Sequence, residues 1–467
     1  MKSHVLFVAV LVLAGGAFAA TYEVGPDRQL ADPGQVPWES LSPGDTVLIY
    51  PRPEPYRSKF VLCRAGRADA PITVRGVPDA AGRLPVLAGA GATTRRTLQY
   101  WGGERSIIKI GGAQNPPDTM PAHIVIENLE IGGARTAHPF TEADGKAHKY
   151  FKNAAAIRVE KGEHLVIRNC ILRDCGNGLF ISSNDQQATR DVLVEGNHIY
   201  DNGNPGSGYE HNVYSEAIGL VFQFNRLGPL LARARGNNLK DRSAGLVVRY
   251  NWIEGGDKQL DLVDAEDSKL VRREPGYREA FVYGNTFLKL PTAHHSFVVH
   301  CGGDSGKPAN YRNGLLHFYN NTIVSYRKGT TTLFWFSSND ERCDFRNNIA
   351  FAAAPKAKIA VVENTGRVDM TRNWFTAGWE HSADPRSTPR FNGNALTLTG
   401  RDPGFVNLAA QDFRLADDSP CRGTGTAAEI DRQYLKHQLA APRTDEGRDL
   451  GAYSSPRAVS SSSSSPR

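Results

Sequence analysis

Nine times along this 467-residue chain the same short phrase returns: a few β-forming residues, an asparagine, then another apolar pair. It reads IVIENLEI at 124–131, LVIRNCIL at 165–172, VLVEGNHI at 192–199, VFQFNRLG at 221–228 and LVVRYNWI at 246–253. FVYGNTFL at 281–288, LHFYNNTI at 316–323, CDFRNNIA at 343–350 and VDMTRNWF at 368–375 complete the series. The asparagines are Asn128, Asn169, Asn197, Asn225, Asn251, Asn285, Asn321, Asn348 and Asn373, separated by 41, 28, 28, 26, 34, 36, 27 and 25 residues. A period in the twenties, lengthened by insertions in some turns, marks a solenoid. Each phrase alternates apolar and polar residues and is rich in Val, Ile and Phe, which predicts strand. Nearby Gly, Asn and Asp supply the turns. One coil of about 25 residues holds three short strands joined by bends, so the expected fold is all-β, a right-handed parallel β-helix of single-chain coils. The asparagines are expected to stack inside as an amide ladder.

Residues 1–20 carry Lys2, an apolar run from Val5 to Leu13 and the small-residue ending Ala17-Phe18-Ala19-Ala20. That pattern predicts a secretory signal peptide, too short to remain as a membrane span. The mature chain is therefore expected to be secreted or periplasmic, with no membrane partner. Residues 21–453 are expected to form the β-helix. Within it, 21–95 (with LSPGDTVLIY at 41–50 and APITVRGVP at 70–78) supplies a cap and first irregular coils, 120–380 the regular coils, and 400–453 the closing strands. The Ser-rich run inside 454–467 predicts a disordered tail. All six cysteines (Cys63, Cys170, Cys175, Cys301, Cys343, Cys421) follow the signal, so disulfides are permitted and buried free thiols are an equal alternative. The formal net charge of +6 favours a polyanion. Export points to acidic polysaccharide over nucleic acid, and a monomer is expected.

If the asparagines set the register, residues at a fixed offset from them stack. Fifteen places after Asn169, Asn197 and Asn225 come Asn184, Asn212 and Lys240; seventeen after the last two come Tyr214 and Arg242. Fifteen after Asn285 comes His300. Residues two apart share a strand face, so Asn212 with Tyr214 and Lys240 with Arg242 are expected to point outward together. The next coil is acidic, QLDLVDAED at 259–267, with Asp261, Asp264, Glu266 and Asp267. His211 is expected at the bend beside this row. Lys, Arg, Tyr, His and carboxylates in one row suit β-elimination on a uronic-acid polysaccharide. That reaction must neutralise the sugar carboxylate, remove the C5 proton and protonate the leaving oxygen.

Lys240 is the expected base, and Arg242 the uronate ligand or acid. His211 and Tyr214 are expected to assist proton transfer. Asn212, Asn238, Arg235, Asp261, Asp264 and His300 are expected to bind substrate. The clustered carboxylates also raise Ca²⁺ as a possible cofactor, although they match no EF-hand. Asp261 and Asp264, three apart, fall on opposite faces of an ideal strand, which disfavours a hydrolase built on that pair and leaves Asp264 with Asp304 as the alternative pair.

The repeat phrases, the GDTVLIY…PITVRGVP segment and the DFRLADDSPCRGTG closure resemble secreted bacterial parallel β-helix proteins of the pectate-lyase-like superfamily. That superfamily includes alginate-lyase-like and chondroitinase-B-like enzymes, and the resemblance spans most of 21–453. EHNVY at 210–214 and NNLKDR at 237–242 resemble paired segments of uncharacterised β-helix proteins, which read Gly-His-Asn-x-Tyr and Lys-x-Arg. The resemblance carries residue by residue to His211, Asn212, Tyr214, Lys240, Arg242 and Asp261. DLVDAED departs from the Asp-Leu-Pro-Asn-Gly-Gly-like segment that usually follows. The resemblance implies a lysine or arginine base and frequent calcium. The expected function is thus an exported polysaccharide lyase. The alternatives are a glycoside hydrolase, a uronan C5-epimerase, or a non-catalytic carbohydrate-binding β-helix using aromatic residues such as Trp335 and Tyr209.

Overall fold

The computed structural model describes residues 19–393, 396–437 and 439–455. Most of the expected signal peptide (1–18) and the tail from 456 onward lie outside the described residues. Three long sheets of 13, 11 and 11 strands run the length of the molecule. Every neighbouring pair within them is parallel, and the chain visits the sheets in turn, one strand per coil. This is the right-handed parallel β-helix expected from the repeat, with the hand that parallel crossovers take. Leu246–Arg249 shows why these sequences form coils. Leu246 and Val248 are fully buried while Val247 and Arg249 face outward, which is the period of two that a half-buried strand requires. The inward residues of all three sheets merge into one core from Val24 to Phe375.

The amide ladder is present and shorter than the phrase suggests. From Asn197 to Asn373 seven asparagines stack in the core. The side-chain N–H of each donates to the side-chain oxygen of the next at 2.9–3.1 Å. Asn128 and Asn169 are not rungs. They hold φ of 58° and 55°, the left-handed turn position that Gly196 and Gly284 fill in later coils. Leu129 and Cys170 occupy the rung position there, and the Cys170 backbone N–H donates to the Asn197 side chain at 2.9 Å. Asparagine suits both adjacent places, the turn by tolerating positive φ and the rung by its amide, so the phrase slips by one in the first two repeats.

Strands Thr21–Val24, Thr46–Ile49 and Ile72–Gly76 already stack in register on Ala122–Glu127. The C-terminal antiparallel pair Phe405–Asn407 and Asp412–Leu415 lies beside the second long sheet. There Phe413, Leu415, Leu450 and Tyr453 pack on its outward residues Leu288, Ile349 and Trp374. All six cysteines are free and buried, so the disulfide alternative falls away. No helix among the described residues is long and apolar enough to cross a membrane.

Candidate active groove

The third long sheet carries the charged row. Strands Val213–Ser215, Leu239–Asp241, Leu260–Leu262 and Phe297–Cys301 are the fifth to eighth of its eleven strands. Val213, Leu239, Leu260 and Val299 stack inward, so Tyr214, Lys240, Asp261 and His300 stack outward on consecutive coils. Tyr214 therefore pairs with Lys240, where equal offsets from the asparagines had paired it with Arg242. The excursion at 201–210 makes the segment between Asn197 and Tyr214 two residues longer than its counterpart after Asn225. Asn184 lies in a corner loop, and the residue beneath Tyr214 is Phe180, stacked on it at 4.5 Å.

Asp261 is the hub of the floor. Its oxygens accept from Lys240 and Lys258 at 3.2 Å each, from the Asn237 amide at 2.8 Å and from His300 Nδ1 at 2.6 Å. Burial alone would raise this carboxyl, but Lys240, His300 and Lys258 outweigh it and hold it well below the usual carboxylate range. Lys240 also donates to Asp304, which reaches over from the loop after Phe297–Cys301. Asp304 in turn meets Arg242 Nη1 at 3.0 Å, while Glu266 meets Arg242 Nη2 at 3.2 Å. The two cations overcome the cost of burying Asp304 and keep it ionised.

Arg242 Nε donates to the Tyr214 hydroxyl at 2.8 Å. Burial raises the Tyr214 phenol, and Arg242 offsets only part of that. His211 is 3% exposed. Its Nδ1 accepts the Asn237 backbone N–H at 2.9 Å, so Nε2 carries the ring proton. Burial first, then Lys240, pushes this imidazole down to about 3. It is neutral at any ordinary pH.

Lys240, Arg242, His211, Tyr214, Arg235 and Asp261 all line one open cavity of about 670 Å³. Gly206, Arg235, Asp257 and His294 also line an adjoining hollow of about 1090 Å³, so the two form one groove around the corner of the coils.

Four expected substrate contacts lie elsewhere. Asn212 and Asn238 are fully buried, the first giving its amide N–H to the second at 2.7 Å and to the Gly228 carbonyl at 2.9 Å. They form a second internal amide row, because the shifted register turns them inward. Asp264 is fully buried and fastens the 304–305 loop, accepting the Asp304 N–H at 2.8 Å and the Ser305 hydroxyl. His300 stands behind Asp261, with Nε2 on the Ser337 hydroxyl at 2.9 Å and Trp335 against its ring. It positions Asp261 and does not line the groove.

Sequence reasoning passed over Asn237, Lys258, Asp257, His294 and His295, all groove residues on bends outside the repeat. It also passed over Glu216, a buried carboxyl that burial and then Asp267 raise to about 8. The spacing Lys258-x-x-Asp261 was the one available signal.

Calcium needs carboxylate oxygens free to coordinate it. Those of Asp261 and Asp264 are taken by the partners just described. No group of three or more His, Cys, Asp or Glu among the described residues could hold a metal.

Fold and site together define a right-handed parallel β-helix with a charged open groove at mid-length. No protein-family model matches the sequence, and no curated protein matches it significantly. Among solved structures it is similar to pectate lyase Pel9A at 13% identity and TM-score 0.48, over 94% of this chain and 97% of that one. An alginate lyase from Paenibacillus sp. is 12% identical with TM-score 0.46, over 77% and 94% of the two chains. A GH136 lacto-N-biosidase from Eubacterium ramulus is 12% identical with TM-score 0.47, over 81% and 67%. Likeness at this level concerns the course of the chain.

Proposed function

We propose that this protein is an exported enzyme that cleaves a uronic-acid-containing polysaccharide by β-elimination. One observation carries the reading: Lys240 and Arg242 close together on a single carboxylate at the open side of the groove, here that of Asp304. A sugar uronate entering the groove would take over both contacts. Two fixed cations on that carboxylate make the adjacent C5 proton acidic, and they stand in place before the reaction begins. Lys240 takes this role in place of the base expected from sequence, because its nitrogen lies between two carboxylates, those of Asp261 and Asp304, where it is placed to neutralise a third.

Asp304, released from the cations by the substrate carboxylate, is assigned as base. It takes the C5 proton, the C4–O bond breaks and the C4–C5 double bond forms. The leaving oxygen receives the Tyr214 proton. Arg242 Nε, already on the Tyr214 hydroxyl, stabilises the phenolate that forms. Water then returns a proton to Tyr214 and removes the one on Asp304. His211, with its proton on Nε2, offers the sugar a neutral hydrogen bond.

Asp304→Asn and Tyr214→Phe are each expected to lower kcat by about 10²–10⁴ with the fold intact. The measurement is ultraviolet absorbance of unsaturated uronate released from polygalacturonate, alginate or glucuronan. An Asp304→Asn enzyme as fast as wild type would reduce Asp304 to a plug, and absence of unsaturated product from every polymer would sink the lyase. The hydrolase reading keeps one supporting observation, that Glu266 and Asp304 share Arg242 in one groove. Its signature is saturated reducing ends, lost in Glu266→Gln.

A further inference from the structure

Outward rows of the thirteen-stranded sheet alternate in charge near its N-terminal end. Arg75, Glu127, Arg168 and Glu195 lie in register on consecutive coils, and Glu127 bridges both arginines. On the last three strands a different outward row carries one sign only. Arg342, Arg367 and Arg390 occupy one outward row in register, and all three are exposed. Like charges directly opposite one another on adjacent strands, about 4.8 Å apart, destabilise a sheet. Asp369 relieves Arg367 at 3.1 Å, whereas Arg342 and Arg390 form no salt bridge among the described residues.

The row lines a cavity of about 530 Å³ at this corner, and a second of about 430 Å³ adjoins it at Asn339. In the first part Arg278 joins the three, so four arginines and one carboxylate, that of Asp340, line it, with Arg367 also held by Asp369. Asn339 is shared with the second part, where Ser338, Thr365, Ser387 and Thr388 supply hydroxyls. Guanidinium forks beside hydroxyls and amides suit an acidic sugar, whose anionic groups and ring hydroxyls need those two kinds of partner.

We propose that this arginine row is a second, non-catalytic binding site for an acidic polysaccharide. The coil spacing is close to the advance of one pyranose unit along an extended chain, so a chain lying along the row brings its anionic groups within reach of arginines on several coils. The row lies on a different sheet from Lys240 and Arg242, so the inference stands whatever reaction the groove performs. Nucleic acid is the competing polyanion. No aromatic ring lines either part of the cavity to stack a base, and the hydroxyl-rich wall favours sugar.

The test is fluorescence anisotropy with labelled polygalacturonate, dextran sulfate, neutral dextran and a single-stranded oligonucleotide, at low salt. Replacing Arg342, Arg367 and Arg390 together by Gln is expected to weaken polygalacturonate binding about tenfold, as for three exposed ion pairs. The melting temperature should not fall, since the substitutions remove like charges that oppose one another, and neutral dextran should bind neither protein. An equal loss with dextran sulfate assigns the site to anionic polysaccharide in general; a loss confined to polygalacturonate assigns it to carboxylates. Unchanged binding of both acidic polysaccharides, or a loss confined to the oligonucleotide, overturns the proposal. Lys240→Gln, which alters only the groove, should retain binding through the arginine row and so separates this inference from the proposed reaction.

Discussion

His211 ties the groove to the stability of the coil beneath it. Its folded pKa lies at about 3, below the ordinary 6.5 of a free imidazole, because burial and then Lys240 oppose its charge. Between those values the unfolded chain binds a proton that the folded one refuses, so stability falls as pH drops from 6.5 towards 3. Above 6.5 the residue contributes no pH dependence. His211→Asn, which keeps an acceptor near Asn237, is expected to flatten the melting-temperature profile between pH 6.5 and 4; parallel profiles for the two proteins would count against it. The residue was legible in sequence as part of EHNVY, but its buried, neutral state was not, because that depends on Asn237 and Lys240 from the next coil.

Within each coil, the two kinds of asparagine make opposite predictions. Asn285 bonds rungs on both sides, and Asn285→Ala leaves buried donors unmet around Asn251. It should cost about 2–4 kcal/mol in denaturant unfolding. Asn128 sits at the positive-φ turn, where glycine is at ease, so Asn128→Gly should shift stability by no more than about 0.5 kcal/mol. The repeat made the strands and the inward row legible from Val, Ile and Asn alone. It could not distinguish rung from turn when two adjacent places accept the same residue. It also could not phase the loops: the excursion before Tyr214 moved Asn212 inward, and Asp304 comes from a loop that follows no period. Lys240, Arg242 and Tyr214 were found because they stay within a strand or just beyond it, where side-chain direction is fixed.

At the scale of the whole molecule, a stack of coils distributes stability along one axis. The six thiols are free and buried, so reducing agent should leave the melting temperature unchanged, and a thiol reagent should label the chain only after unfolding. A downward shift with reductant would point to a disulfide instead. Each coil leans chiefly on its immediate neighbours, and a solenoid therefore loosens first where a neighbour is missing, at its two ends. Tyr214, Lys240 and Asp261 sit on the fifth, sixth and seventh of eleven strands. Fraying or proteolytic trimming must consume several coils from either direction before it reaches the groove, so placing the chemistry at mid-stack makes the outer coils a wearing layer.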